Sequence, residues 1–449
     1  VNSGAGDDNI TASGNSDTIN AGDGSDIISV SGDSNTVNSG DGDDKITVNG
    51  NSDIVDAGNG SDVISVNGSS DTIDAGSGDN SIVASGTGHH SIVSSNGNDS
   101  ISLINNTSDT IDAGDGNNKI TVNGGDHNKI TTGSNDDDIT VSSGSHHNTI
   151  NAGNGNNNLT IAGHHNDVVS GTGDDHITVS GSDNTVSSGN GADSITVSGN
   201  HNTIDAGDGN DRVTVTGSRN TVDAGIGDNG VTVNTGGQNS IVASTGNDTV
   251  SLNSSTSDTV NAGAGNNSII ASDGGHHSII AAGGNDSISL TNNTSDTIDA
   301  GDGNNKITVD GGDHNKITTG SNDDDITVSS GSHHNTINAG NGNNNLTIAG
   351  HHNDVVSGTG DDHITVSGSD NTVSSGNGAD SITVSGNHNT IDAGDGANVL
   401  TVSGGSNSIV SGSGADVITV SGTDNTVHAG DGNDNITISG TDNHIYGEA

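Results

Sequence analysis

The residues best placed to do chemistry are aspartates that recur at a fixed interval. In Ala21 to Ser29 (AGDGSDIIS), Gly22 and Gly24 lead to Asp26 in the order Gly-x-Gly-x-Asp. The glycines admit backbone angles that other residues avoid and can turn carbonyl oxygens inward. The aspartate adds a hard anionic oxygen. Calcium takes about six to eight oxygen ligands in flexible geometry, so two such loops, stacked, can supply one ion. The predicted ligands are Asp8, Asp26, Asp44, Asp62, Asp99, Asp137, Asp175, Asp193, Asp211, Asp248, Asp286, Asp324, Asp362, Asp380, Asp416 and Asp434. Eight further loops carry Asn at the same place: Asn80, Asn118, Asn157, Asn229, Asn267, Asn305, Asn344 and Asn398. A neutral oxygen predicts weaker or empty sites there. The competing reading is plain turn chemistry, which Gly and Asp also serve. It does not explain 58 acidic residues, all aspartate but Glu448, against seven Lys and Arg.

Loops so regular need a frame of the same period. Gly4, Gly22, Gly40, Gly58 and Gly76 lie 18 residues apart. Each 18-mer has two unlike halves, the first as above and the second reading Val-x-Gly-x-x-Asn/Asp-Thr-Val/Ile-x, as in Val30 to Asn38 (VSGDSNTVN). There are 24 first halves, from the one containing Gly4 to the one containing Gly430. Some turns lengthen to 19 or 20 residues, always in the second half, as in Val141 to Asn151. In a strand, residues i and i+2 share a face. Ile28 and Val30 therefore point inward with Ser29 outward, and Val37 and Ser39 inward with Asn38 outward. Such a turn cannot bury its apolar face alone, but a stack of turns can. The sequence predicts an all-β chain, one continuous parallel β-solenoid over residues 1–449, with about 24 turns of 18–20 residues.

At this point the chain resembles the RTX, or haemolysin-type, calcium-binding nonapeptide repeat, Gly-Gly-x-Gly-x-Asp-x-(aliphatic)-x, which Ala21 to Ser29 matches except at its first glycine. The resemblance implies a right-handed β-roll and bound Ca2+. RTX rolls usually carry the motif in both halves; here only the first half keeps it, so calcium is expected along one edge. On the other edge stand Asn35, Asp53, Asp71, Asn184, Asn202 and Asn220, whose stacked side chains can bond along the coil. His pairs also fall there: His89-His90, His146-His147, His164-His165, His276-His277, His333-His334 and His351-His352. Pairs in successive turns would lie about 5 Å apart. They could form a transition-metal site or a pH-sensitive seam; the plainer reading is polar filler in a loosened loop.

Composition narrows the function. A net charge of −51 opposes nucleic acid. Without Cys there is no disulfide and no thiolate chemistry, and no apolar run is long enough to span a membrane. Nothing breaks the repeat to build a catalytic pocket, so no enzyme is expected. Residues Asn105 to Gly209 recur as Asn292 to Gly396 with one difference, Asn123 against Asp310. Copying turns lengthens a scaffold without adding a site. The expectation is an extracellular, secreted or cell-surface structural rod whose folding depends on calcium. The repeat is in register at Val1 and still running at Tyr446, which predicts end-to-end self-association or membership of a longer rod. An alternative is a ligand-binding face for ice or a glycan, suggested by outward Thr47, Ser65, Thr121, Thr140, Thr178, Thr196 and Thr214. Exposed strands favour Thr in any case.

Overall fold

β-Branched residues two apart, broken every few positions by Gly, Asn or Asp, favour short strands joined by tight loops. That is the structure found. A computed structural model describes residues 1–447; Glu448 and Ala449 lie outside the described residues. All regular structure among the described residues is β. The chain forms two compact units, Val1–Gly225 and Ile226–Ala449.

In the first unit, twelve longer strands, from Asn9–Ser13 to Arg212–Val215, alternate with twelve three-residue strands, from Thr18–Asn20 to Thr221–Asp223. Each pairs in parallel with its counterpart one turn away. Ile28 meets Ile46 and Val30 meets Val48 in one sheet, and Val37 meets Val55 in the other. Like stacks on like, so every turn repeats the same cross-section. The second unit is built alike, with twelve longer strands from Gly230–Asn234 to Asn435–Ile438 and twelve short ones from Ser240–Val242 to His444–Tyr446. Each unit is thus a parallel β-solenoid of twelve turns.

The alternation predicted for the turn holds. Ile28, Val30, Val37 and Ser39 are fully buried, while Asn38 is exposed. Ser39 closes the turn by donating its hydroxyl to Ala57 O, 2.9 Å away in the next coil. Where the second half lengthens, the surplus forms small extra ladders, Gly125–Asp126 with Ser145–His146 and Gly312–Asp313 with Ser332–His333. The loops admit little else. At Gly42, φ is +137°, and an added side chain would collide with Gly24 O of the coil below.

Candidate metal centre

The Gly-x-Gly-x-Asp loops lie at one end of the longer strands, and the aspartate that ends each loop turns inward. Of the sixteen predicted aspartates fourteen are buried, and Asp8 and Asp434 are half-buried. They form a file in each unit with one recurring bond. Oδ1 of each accepts the backbone N–H of its counterpart one turn earlier: Asp26 from Asp8 (2.7 Å), Asp44 from Asp26 (2.7 Å) and Asp62 from Asp44 (2.8 Å). Asp193 accepts from Asp175 in the same way (2.8 Å), as Asp434 does from Asp416 (3.0 Å).

The other carboxylate oxygen is the informative atom. Oδ2 of Asp8, Asp26, Asp44, Asp62, Asp99, Asp137, Asp175, Asp193, Asp248, Asp286, Asp324, Asp380 and Asp416 is buried without a hydrogen-bond partner. A Ser or Thr hydroxyl stands beside several of these carboxyls, Ser39 by Asp44, Ser94 by Asp99 and Ser170 by Asp175, and offsets only part of the cost of their burial. Asp362 differs, because Ser357 Oγ reaches its Oδ2 at 2.6 Å. An unmet anionic oxygen in a buried place is expensive unless a cation or a proton attends it.

The asparagine turns show what surrounds that atom. Asn118 Nδ2 donates to Gly114 O (3.1 Å) and Gly116 O (3.0 Å), and Asn305 Nδ2 donates to Gly301 O (3.1 Å) and Gly303 O (3.0 Å). Asn398 reaches both its own loop, at Gly394 O, and the next coil, at Ser411 O (3.2 Å each). Loop carbonyls therefore converge on the second side-chain atom. An amide NH2 satisfies them. A carboxylate oxygen faces them as one more acceptor, and that cluster of oxygens is what a hard cation takes. The Asn turns are complete in themselves, which gives a physical basis to the expectation that they hold ions poorly.

The electrostatics agree. Burial pushes the Asp62 carboxyl up to about 7, although the Asp44 N–H pulls it down, and Asp44 and Asp43 add to the rise. Burial likewise pushes Asp175, Asp211 and Asp248 up to about 6. Asp44, Asp99, Asp137, Asp193 and Asp324 are raised for the same leading reason. No three His, Cys, Asp or Glu side chains gather into a metal cluster among the described residues. An ion in these loops would take most of its ligands from the backbone.

The second edge carries its own buried file. Asn148, Asn166, Asn184 and Asn202 each accept a backbone N–H from the turn before or pass an amide proton to the next, as Asn184 Nδ2 does to Asn202 Oδ1 (3.2 Å). Asn184 Nδ2 also reaches Gly163 O at 3.0 Å. The bonding along the coil expected of these asparagines is present. The residue before each sits in the left-handed region, as at Ser34, His147, His165 and His201 (φ +55° to +63°), a conformation that His tolerates better than most residues. That accounts for many of the histidines. Their rings stack in short files, His127 on His147 on His165 with centroids 5.1 and 5.0 Å apart, and His146 beside His164 at 5.4 Å. His90 and His277 are different. They occupy the buried file itself, 2% exposed, a placement that the reading of His pairs as loop residues missed. The register could have shown it, because each follows a left-handed residue just as Asn35 and Asp71 do. The outward Thr file is one residue wide; Ser65 is followed by Val83, and its neighbouring file runs Lys45, Val63, Ser81.

The RTX calcium-binding nonapeptide repeat matches ten segments: residues 2–37, 29–64, 47–82, 196–231, 233–255, 252–275, 290–313, 349–382, 383–418 and 401–436. Together these cover more than half of the chain. It belongs to the RTX repeat family. Residues 143–200 of this RTX protein also match a family described as a protein of unknown function, DUF3060. No curated protein matches the sequence. Among solved structures, a mutant of the PL6-family alginate lyase AlyGC aligns over 97% of both chains, at 11% identity and a TM-score of 0.18.

Proposed function

We propose that the chain is a secreted or cell-surface structural protein, a calcium-stapled rod that serves as stalk, adhesin spacer or matrix fibre and carries out no catalysis. RTX repeats are calcium-binding motifs, and proteins that carry them are typically secreted. The observation that supports the reading most is the file of buried Asp Oδ2 atoms facing loop carbonyls, repeated turn after turn. Bound calcium would supply the positive charge that this cluster of oxygens lacks. The chain's part is to hold Asp26, Asp44 and Asp62, and their counterparts through Asp416, at fixed spacing with Oδ1 already tied to the backbone. Only Oδ2 is then left to turn toward the ion.

On this reading residues 1–449 form one continuous solenoid, with calcium between successive first-half loops. Because one cross-section recurs, any turn can stack on any other, and the rod associates with itself end to end. Negative-stain electron microscopy and circular dichroism, each in millimolar calcium and in chelator, test this. Rods or filaments with a β-spectrum in calcium, and loss of that order in chelator at low salt, are expected. A β-spectrum and particle shape that do not respond to calcium would overturn the reading.

A further inference from the structure

A file of side-chain acceptors runs along the second edge, one residue before the left-handed position of each turn. In the first unit Asp126, His146, His164, Ser182 and Asn200 fill it in order. Asp126 Oδ1 accepts the His146 N–H (3.0 Å), Ser182 Oγ the Asn200 N–H (3.2 Å) and Asn200 Oδ1 the Ser218 N–H (2.8 Å). Between them the acceptor is a ring nitrogen. His146 Nδ1 takes the His164 N–H at 3.2 Å, and His164 Nδ1 takes the Ser182 N–H at 3.0 Å. The second unit repeats the pattern. Asp313 Oδ1 accepts from His333 (3.2 Å), His333 Nδ1 from His351 (3.3 Å) and His351 Nδ1 from Ser369 (2.9 Å). A backbone bond stands beside each, His147 N–H to His164 O and His165 N–H to Ser182 O (3.2 Å each). The ring nitrogens are therefore a large part of what joins one loop to the next.

These acceptors are not equivalent. An amide or hydroxyl oxygen accepts throughout the neutral and mildly acidic range. A ring nitrogen accepts only with its lone pair free, and an ordinary imidazole takes up a proton at about pH 6.5. With that proton on Nδ1, one N–H points at another and the bond is lost. The fold does not need a ring here, because Asn200 and Asn387 make the same bond through Oδ1, at 2.8 Å each. Among the described residues no carboxylate forms an ion pair with these four rings. A proton on His90 or His277 would instead meet Asp71 Oδ2 (3.3 Å) or Asp258 Oδ2 (3.7 Å), so those two rings stand apart. What faces the first set is mostly imidazole. His127, His147 and His165 stack 5.1 and 5.0 Å apart, and His146 lies 5.4 Å from His164. Asp126 flanks them one turn before and Asp183 one turn after, with Lys129 and Asp167 outward on the adjoining short strands. In the second unit His314, His334 and His352 stack likewise, with Asp313 and Asp370 as flanks and Lys316 and Asp354 outward. Protons taken up by neighbouring rings repel, which adds to the loosening.

We propose that His146, His164, His333 and His351 are proton-operated latches along the second edge. At neutral pH each Nδ1 clips its loop to the next turn. In mild acid the clips release, and the loops that carry His164, Ser182, His351 and Ser369 open locally. The buried file beneath stays closed. Its bonds there run between amides, from Asn148 Nδ2 to Asn166 Oδ1 (3.0 Å) and from Asn335 Nδ2 to Asn353 Oδ1 (3.1 Å), and amides do not titrate in this range. Each unit is thus a coil whose second edge loosens at one set place as the surroundings acidify.

The test follows amide hydrogen exchange by mass spectrometry in the full chain, with calcium in excess, at pH 7.5 and 5.5. Each rate is divided by its intrinsic value at that pH. Residues 143–182 and 330–369 share one sequence, so peptides from either report the same loops. At pH 5.5 about one ordinary imidazole in ten keeps its lone pair, so protection at His164, Ser182, His351 and Ser369 should fall about threefold to tenfold. Protection at Ser218, held by Asn200, should stay level. His146→Asn and His164→Asn with His333→Asn and His351→Asn supply the amide already used at Asn200, and should abolish the fall. The first edge is identical in both proteins, so its own response to pH cancels. A second variant, His147→Asn and His165→Asn with His334→Asn and His352→Asn, removes stacked rings at positions whose left-handed backbone Asn tolerates. It keeps every Nδ1 acceptor and should still show the fall. No fall in wild type, an equal fall at Ser218, or an equal fall in the first variant would overturn the proposal. Loss of the fall in the second variant would assign it to repulsion between stacked rings and overturn the role given to Nδ1.

Discussion

Asp44→Asn tests the logic of the first-edge file most directly, because its effect should change sign with calcium. The substitution keeps Oδ1, so the 2.7 Å bond from the Asp26 N–H is retained. It replaces the unpartnered Oδ2 with an NH2 facing the carbonyls of Gly40 and Gly42. Asn118 shows the outcome, with bonds of 3.1 and 3.0 Å to the equivalent glycines. Two neutral hydrogen bonds at about 0.5–1.5 kcal/mol each, less the cost of ordering the amide, give about 1–2 kcal/mol of added stability without calcium. With calcium at about 100 times its dissociation constant, a lost ion removes about 2.7 kcal/mol. The variant should then be less stable than wild type by about 1 kcal/mol or more. Amide hydrogen exchange in the adjoining strand, Lys45–Asn51, reads local opening directly. In chelator, with enough salt to screen the aspartates and keep the apo chain folded, the variant's amides should exchange roughly fivefold to thirtyfold more slowly than those of wild type, and in calcium more quickly. Faster exchange in both conditions would mean that Asp44 Oδ2 already has a partner in the apo protein, and the ion argument would fail with it.

The converse change, Asn118→Asp, should remove its two amide bonds, destabilise the apo protein by about 1–3 kcal/mol and raise the calcium count by one or more, measured by equilibrium dialysis. Gly42→Ala should cost roughly 3 kcal/mol or more, seen as a lower thermal midpoint, because its methyl meets Gly24 O with φ at +137°. The pH response without calcium should run opposite to ordinary acid denaturation. Carboxyls raised in the folded state, to about 7 at Asp62 and about 6 at Asp175 and Asp248, bind more protons folded than unfolded. Stability is then fullest below the unfolded value near 3.8 and is lost as pH rises through about 6 to 7. The rise at Asp62 is worth about 4 kcal/mol at face value, and about 2 after allowing for water on the far side of a thin loop. Calcium affinity should weaken as pH falls through the same window, and titrations at pH 5.5 and 7.5 would show both trends or neither.

Most of this architecture was legible in the sequence because a short period left few choices. Ile28 and Val30 two apart, with glycines every 18 residues, could face inward only in a stacked coil, and the structure places them so. The asymmetry between the edges was legible too, since Asp dominates one register position and Asn the other. The meaning of the Asn turns was less accessible. Whether a neutral side chain marks a weak ion site or a self-sufficient loop depends on where the glycine carbonyls point, and only backbone geometry shows that. His90 was hidden for a related reason. Beside His89 it looked like half of a loop pair, but the left-handed turn at His89 sends the next side chain inward.

Asp and Asn share a shape and differ by one base in their codons, so a single transition mutation exchanges a loop that asks for an ion with one that does not. The backbone need not move, since the Oδ1 bond is the same in both, as Asp62 and Asn80 show in adjacent turns. If calcium fills the aspartate loops as proposed, dependence on it can be set one turn at a time, like the doping of a crystal. A lineage could then grade a repeat array of this kind from calcium-dependent turns to calcium-indifferent ones by single substitutions that keep the Oδ1 bond of every turn.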